Sequence, residues 1–127
     1  MHITKEEIPV RIDAPGAVAR QFRDFGTAGG RMGAEYFSLA AGADLAPLLE
    51  GLEDDSCHSP HWGYLIEGDL MVTYNDGDSE RCVGGDLFYW PPGHSVRVSV
   101  DAELVLFSPQ EAHGAVLDHI KSKLATL

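Results

Sequence analysis

The sequence predicts an all-β sandwich or barrel followed by one C-terminal helix. Three observations point there. Between about residues 17 and 108 the apolar residues come in short runs, several of them alternating with polar ones, as strands with one buried face require. Turn signals separate the runs: Thr27-Ala28-Gly29-Gly30, Asn75-Asp76-Gly77, Gly84-Gly85 and Pro91-Pro92-Gly93. After Ser108 the spacing changes, and Val116, Ile120 and Leu124 recur every four residues, joined by Leu117 and Leu127, which is the stripe of an amphipathic helix laid on the sheet or on a second subunit. A length of 127 residues suits one domain with a core of its own.

Taken in order, residues 1–16 read as an extended N-terminal arm punctuated by Pro9 and Pro15-Gly16. Residues 17–26 fit a strand or a short helical piece, because a run this short carries no decisive period. Residues 31–42 read as a strand with Met32, Ala34 and Tyr36 on one face and Glu35, Phe37 and Leu39 on the other. Residues 43–60 read as a loop that includes the acidic run Glu53-Asp54-Asp55. Residues 63–74 make two strand segments bent near Gly68, and Asp76-Gly77 fits a type I′ hairpin turn leading into a partner strand at 80–85. Residues 86–100 are a strand, the Pro-Pro-Gly turn and a second strand; Asp101-Ala102 turns the chain into a last strand, 103–108. About eight short strands result. The helix then spans 109–126, with Ser108 as N-cap, Pro109 at the first helical position and Glu111 completing a capping box. His113 and His119 read as surface or flank residues of this helix, and Cys82 as core.

The charge balance is 20 acids against 9 bases, net −11. That argues against nucleic acid or an anionic membrane surface, both of which need a basic face, so neither is expected as a partner. No signal-peptide core and no run near the ~18 apolar residues of a membrane helix is present, so a cytoplasmic location is expected, where Cys57 and Cys82 are read as a ligand or a buried thiol ahead of the one disulfide they could form.

Chemistry concentrates in CHSPHWGYLIEGDL, residues 57–70, where Cys57, His58 and His61 precede a strand. HWGYLIEGDL (61–70), closed by Gly68, resembles the end of the first motif of the cupins, small β-barrels of the jelly-roll class. GGDLFYWPPGHSV (84–96) resembles their second motif, with Gly85-Asp86 opening it and Pro91-Pro92-Gly93 as its turn. The resemblance covers about half the chain and implies a single cupin domain over 1–127. It also implies a homodimer, with the N-terminal arm and the helix stripe as contact surfaces. The ligand set of the family does not carry over. The position of its glutamate is His61, there is no His-x-His pair, and the position of its second-motif histidine is Val96, which has no ligand atom. The chain instead resembles a cupin variant with a Cys-x-x-x-His first motif and a Pro-Pro-Gly-His second motif.

Strand parity then places candidate ligands. If Val96 points inward, so does His94, and His61 points inward from the glutamate position. Cys57 lies about 13 Å from His61 on a regular strand, too far to share an ion, but Pro60 interrupts the ladder and a bend there can fold 56–60 back. From the residues alone either Cys57 or His58 completes the site; the resemblance implies Cys57. A Cys-His-His set suits a divalent transition metal, Zn²⁺ first, then Cu or Ni, ahead of the iron that prefers two His and a carboxylate. Glu35 and Val96 are candidates for the substrate pocket. The resulting expectation is a metal-dependent enzyme acting on a small organic molecule inside the barrel. The alternatives are a non-catalytic cupin that binds or senses a small molecule and a barrel filled by its own side chains.

Overall fold

The computed structural model describes residues 1–127. Seven strands form one antiparallel sheet that curls into a barrel: β1 (Val10–Ala14), β2 (Ala17–Phe22), β3 (Met32–Leu39), β4 (His61–Tyr74), β5 (Ser79–Val83), β6 (Leu87–Trp90) and β7 (His94–Pro109). Their order is β1-β2-β3-β7-β4-β5, and β6 pairs with β4 beside β5. A four-residue helix α1 (Ala46–Leu49) and a 3₁₀ turn (Glu53–Asp55) lie in the expected loop, and α2 (Gln110–Leu124) follows β7.

β4 and β7 are the axis of the sheet. They pair along nearly their whole length, from Trp62 opposite Phe107 to Tyr74 opposite His94. The alternation expected for them holds on the inner face. His61 and Leu65 are buried, as are Leu70 and Val72 beyond the bend, and so are His94, Val96, Val98, Leu104 and Leu106. Fully burying each such aliphatic side chain stabilises the fold by about 1.5–3 kcal/mol. β4 is one bent strand rather than two. Its register with β7 shifts three times between Leu65 and Leu70, and Gly68 sits there at φ +112°. A Cβ at Gly68 would lie 2.6 Å from Ala102 Cα and 2.6 Å from the Asp101 carbonyl oxygen, so β7 passes directly over it.

Several local expectations are corrected. Residues 10–14 are not a free arm but strand β1, hydrogen-bonded to β2. Asp101-Ala102 does not turn the chain: β7 runs straight through it, because the β4 bulge opposite absorbs the bend and buries Ala102. The mergers in β4 and β7, with β1 added, turn the eight expected strands into seven. The 75–77 hairpin is not type I′. Gly77 alone has positive φ, and the Gly77 N–H donates to the Tyr74 carbonyl, as in a type I turn followed by a left-handed glycine.

The helix begins at Gln110, one residue later than expected, and Ser108 does not cap it. Ser108 stays in β7 with its hydroxyl donated to Glu35 (2.5 Å), while Glu111 pairs with Arg31. The helix stripe is not a free contact surface either. Val116, Leu117 and Ile120 are buried against the chain's own barrel, and α2 covers its mouth.

Candidate metal centre

Cys57 reaches the barrel interior through backbone pairing. Its N–H donates to the His94 carbonyl (2.8 Å), and its own carbonyl accepts from the N–H groups of Gly93 (2.8 Å) and His94 (3.1 Å). The loop therefore lies antiparallel to the start of β7, with Cys57 opposite His94. Ser59 and Pro60 then carry the chain back to His61 at the head of β4. Cys57 Sγ comes to 3.4 Å from His61 Nε2, although a straight strand would hold the two residues far apart.

The ligand atoms of Cys57, His61 and His94 all lie within 4.8 Å of one another, and all three residues are buried. Each imidazole is oriented by a second partner. Ser108 gives its only proton to Glu35, so its oxygen accepts from His61 Nδ1–H at 2.6 Å and leaves Nε2 unprotonated, an acceptor for the Cys57 thiol at 3.4 Å. His94 Nδ1–H donates to the Pro91 carbonyl (2.7 Å), which likewise leaves its Nε2 bare. Burial, with smaller contributions from neighbouring histidines, holds the His61 pKa well below its ordinary value. Burial lowers His94 to about 4, against the opposing hydrogen bond to Pro91. Both rings are thus neutral and able to ligate. Burial pushes the Cys57 thiol up to about 12, so it keeps its proton until a cation displaces it.

A second buried cluster joins Glu35, His61 and His113. Its carboxylate and both Nδ1 atoms are already matched, while His113 lines the cavity. The Glu35 carboxylate accepts from Ser108, from Gln21 Nε2 (3.2 Å) and from His113 Nδ1–H, and Arg11 donates to Gln21 in turn. Such a network behaves as the outer support of a site, holding a ligand ring in one tautomer, rather than as a site itself. The first cluster differs because two of its lone pairs have no acceptor role elsewhere. Two imidazoles and a thiol form the donor set of a tetrahedral metal site with a fourth position open, and the residues fit a divalent transition metal on that ground.

Val96 lies beside His94 on the wall of the inner cavity. Glu35 is not a pocket residue: its side chain is wholly enclosed and its oxygens are taken by three donors, so it acts on the site through Ser108. His58 belongs to neither cluster. His113, expected at the surface, is 3% exposed and part of the support network. A signal for it was present, since His113, Val116, Leu117 and Ile120 follow the i, i+3, i+4, i+7 spacing of one helix face. Ser108 shares strand parity with Leu104 and Leu106, which marks it as inward in the same way.

The cavity beside the cluster measures about 50 Å³ and is lined mainly by apolar side chains. α2 contributes His113, Val116, Leu117 and Ile120 to its wall, and Trp90 closes another side, stacked on Phe88 at 3.9 Å. No helix of the chain is long and apolar enough to cross a membrane.

No family model and no curated protein matches the chain. Solved structures do. An RmlC-like cupin from Shewanella frigidimarina aligns over 84% of this chain and 88% of its own, at 19% identity and TM-score 0.58. An oxalate decarboxylase variant from Bacillus subtilis aligns over 84% of this chain at 23% identity and TM-score 0.62. A variant salicylate 1,2-dioxygenase from Pseudoaminobacter salicylatoxidans aligns over 80% at 22% identity and TM-score 0.53. This chain spans only 28% and 30% of those two enzyme chains. With its curled antiparallel sheet, inward-facing β4 and β7 and C-terminal helix, the chain has the cupin fold.

Proposed function

We propose that the chain is a small metalloprotein in which Cys57, His61 and His94 hold one divalent transition metal, and that it acts on a small molecule beside that ion. The observation that carries this reading is the convergence of three buried ligand atoms within 4.8 Å, two of them imidazole nitrogens kept unprotonated by partners on the far side of their rings. The thiol and imidazole donors rank Zn²⁺ first, with Cu and Ni next and iron behind. When bound, such an ion supplies a Lewis acid for a carbonyl, or a water with pKa near 7. The chain's own residues orient the ligands, exclude bulk water and shape the reactant.

The cavity narrows the reactant. An apolar cavity of about 150 Å³ takes benzene, and this one is about 50 Å³. Its lining includes no lysine or arginine, so a carboxylate would find no cation beyond the metal. A molecule of a few heavy atoms without a charge fits best. Metal analysis of protein purified without a His-tag or chelator tests the reading. About one equivalent of Zn, Cu, Ni or Fe is expected, and it should be lost in a His61→Ala/His94→Ala variant. No metal, and none taken up on reconstitution, would overturn it.

The enclosure of the site favours a second reading, in which a small molecule is bound and sensed without turnover. Small-molecule binding that persists in the metal-free double variant would select it.

A further inference from the structure

His113 carries a nitrogen that neither the metal cluster nor its support uses. Its Nδ1–H is donated to Glu35, which fixes the ring. In that tautomer Nε2, on the other side of the ring, is an acceptor. Nε2 makes no hydrogen bond within the chain, yet it is not sealed away as Trp90 Nε1 and His58 Nδ1 are. It opens on the inner cavity, whose wall includes His113. A buried carboxylate behind an imidazole holds the tautomer and aims the far nitrogen.

The rest of the lining leaves this atom without a rival. Besides Cys57, His61 and His94, the cavity wall offers only Ser95 and His113 as polar side chains. Ser95 alternates with His94 along β7, so its hydroxyl belongs to the opposite face of the strand. His113 is then the polar group that remains for a bound molecule once the three ligands are committed. It also stands beside them: its ring lies 4.2 Å from that of His61 between centroids, and His61 lies 5.1 Å from His94.

We propose that His113 Nε2 selects the reactant, accepting a hydrogen bond from an O–H or N–H of the small uncharged molecule held beside Cys57, His61 and His94. This rests on the reading that a small molecule binds there, and it names the class: small alcohols and primary amides rather than ethers, ketones or alkyl halides. The reason is desolvation. A molecule without a donor fills the cavity and leaves a buried acceptor unpaired, which costs free energy, whereas a donor-bearing molecule satisfies it. Sites built around such a group reject the analogue that lacks the matching one. Selection therefore comes from α2, the element that carries His113, while the metal ligands come from β4, β7 and the 56–60 loop.

Methanol and fluoromethane test this by chemical-shift titration of the full chain at pH 8, with and without Zn²⁺. The two probes are nearly the same size, and only methanol carries a donor. His113→Leu should weaken methanol about tenfold, the worth of one such hydrogen bond, and leave fluoromethane within about threefold. Equal effects on both probes would make His113 a packing residue and overturn the proposal, as would an unchanged affinity for methanol. Binding of neither probe to the wild type would overturn it too. Because the substitution also removes a donor from Glu35, a second measurement uses the unaltered chain. ¹⁵N NMR of its imidazoles should place the His113 proton on Nδ1 and none on Nε2. A proton on Nε2 would make that atom a donor and overturn the proposal. Metal analysis keeps the two readings apart. Metal bound with no discrimination between the probes removes His113 and leaves the metal site standing; discrimination lost in His113→Leu, in a chain that takes up no metal, upholds His113 and removes the metal.

Discussion

Replacing Ser108 by alanine tests the logic of the site at one atom. Ser108 is fully buried, accepts from His61 Nδ1–H at 2.6 Å and donates to Glu35 at 2.5 Å. Ser108→Ala strands the His61 N–H without an acceptor, which costs about 1–3 kcal/mol. It also removes one of three donors from a buried carboxylate, and hydrogen bonds to charged groups contribute about 1.5–3 kcal/mol. Some of both is recovered by relaxation, so a net loss of about 2–4 kcal/mol is expected, on the order of a 10 °C drop in melting temperature. Metal affinity should fall as well. With Nδ1 unpartnered, His61 is free to move its proton to Nε2, the atom facing Cys57, and so to hide the ligating lone pair. Loss of an outer-shell partner of this kind typically weakens metal binding 10–100-fold. Competition titration of Zn²⁺ or Co²⁺ against a chromophoric chelator at pH 7 measures that ratio, and ¹⁵N NMR of the imidazole reads the tautomer. Ser108→Thr, which keeps the hydroxyl, should restore most of the affinity. If Ser108→Ala binds metal within threefold of wild type while losing stability, Ser108 is only a packing residue and the His61 orientation argument fails.

Three further outcomes follow from the same geometry. Gly68→Ala should destabilise the protein by more than about 3 kcal/mol in urea unfolding, because a left-handed backbone and contacts of 2.6 Å with β7 backbone leave a Cβ no room; a loss below 1 kcal/mol would mean that the β4 bulge is soft. Metal-free protein should lose stability as pH falls from 6.5 towards 4. The folded state keeps His94 neutral down to about 4 while the unfolded chain takes up the proton near 6.5, so His94 alone removes about 3 kcal/mol over that window and His61 acts in the same direction; unfolding curves for His94→Gln should be flatter in pH, and an equally steep profile would assign the effect elsewhere. Cys57, 5% exposed and with its thiol pushed up to about 12, should react with a disulfide reagent at pH 8 at least a hundredfold more slowly in the native protein than in urea; rapid native labelling at this residue would show that the barrel mouth opens freely.

Much of this arrangement is legible in strand parity. The inward positions of His61, His94 and Val96 follow from alternation, whereas nothing in the sequence fixes the face of Glu35, and Pro60 marks the break that lets Cys57 return to His61. What parity cannot supply is competition between local and distant partners. Ser-Pro-x-Glu at 108–111 carries the pattern of a capping box, yet the Ser108 hydroxyl goes to a carboxylate 73 residues away, and Glu111 finds Arg31 instead of the helix N-terminus. A buried carboxylate makes a far stronger demand on a hydroxyl than a helix end open to water does. Asp101-Ala102 misleads for the opposite reason. Its residues suit a turn, but whether the chain turns depends on the strand lying opposite, and the bulge around Gly68 accommodates a continuous β7. His113 looks like a flank residue only when its own chemistry is weighed and its place on the apolar stripe is not.

The support network also makes the C-terminal helix part of the site. Gln21 from β2, Glu35 from β3, Ser108 from β7 and His113 from α2 meet on one carboxylate, and that carboxylate orients His61 from β4 through Ser108. The same helix contributes four residues to the cavity wall and is fastened outside by Arg11 to Asp118 (2.6 Å) and by His119 to the Glu50 carbonyl (2.8 Å). Anything that holds His61 in its ligating orientation therefore also favours the docked helix, and the reverse holds by linkage. A metal present at 100 times its dissociation constant stabilises the bound form by about 2.7 kcal/mol, and this coupling would deliver part of that to a helix nearly fifty residues away in sequence from the histidine it supports. A cavity of about 50 Å³ beneath that helix is then not a fixed limit on what enters. It is the volume of the docked state, and larger molecules are admitted only at the free-energy cost of lifting α2 from a network that a metal held by Cys57, His61 and His94 would tighten.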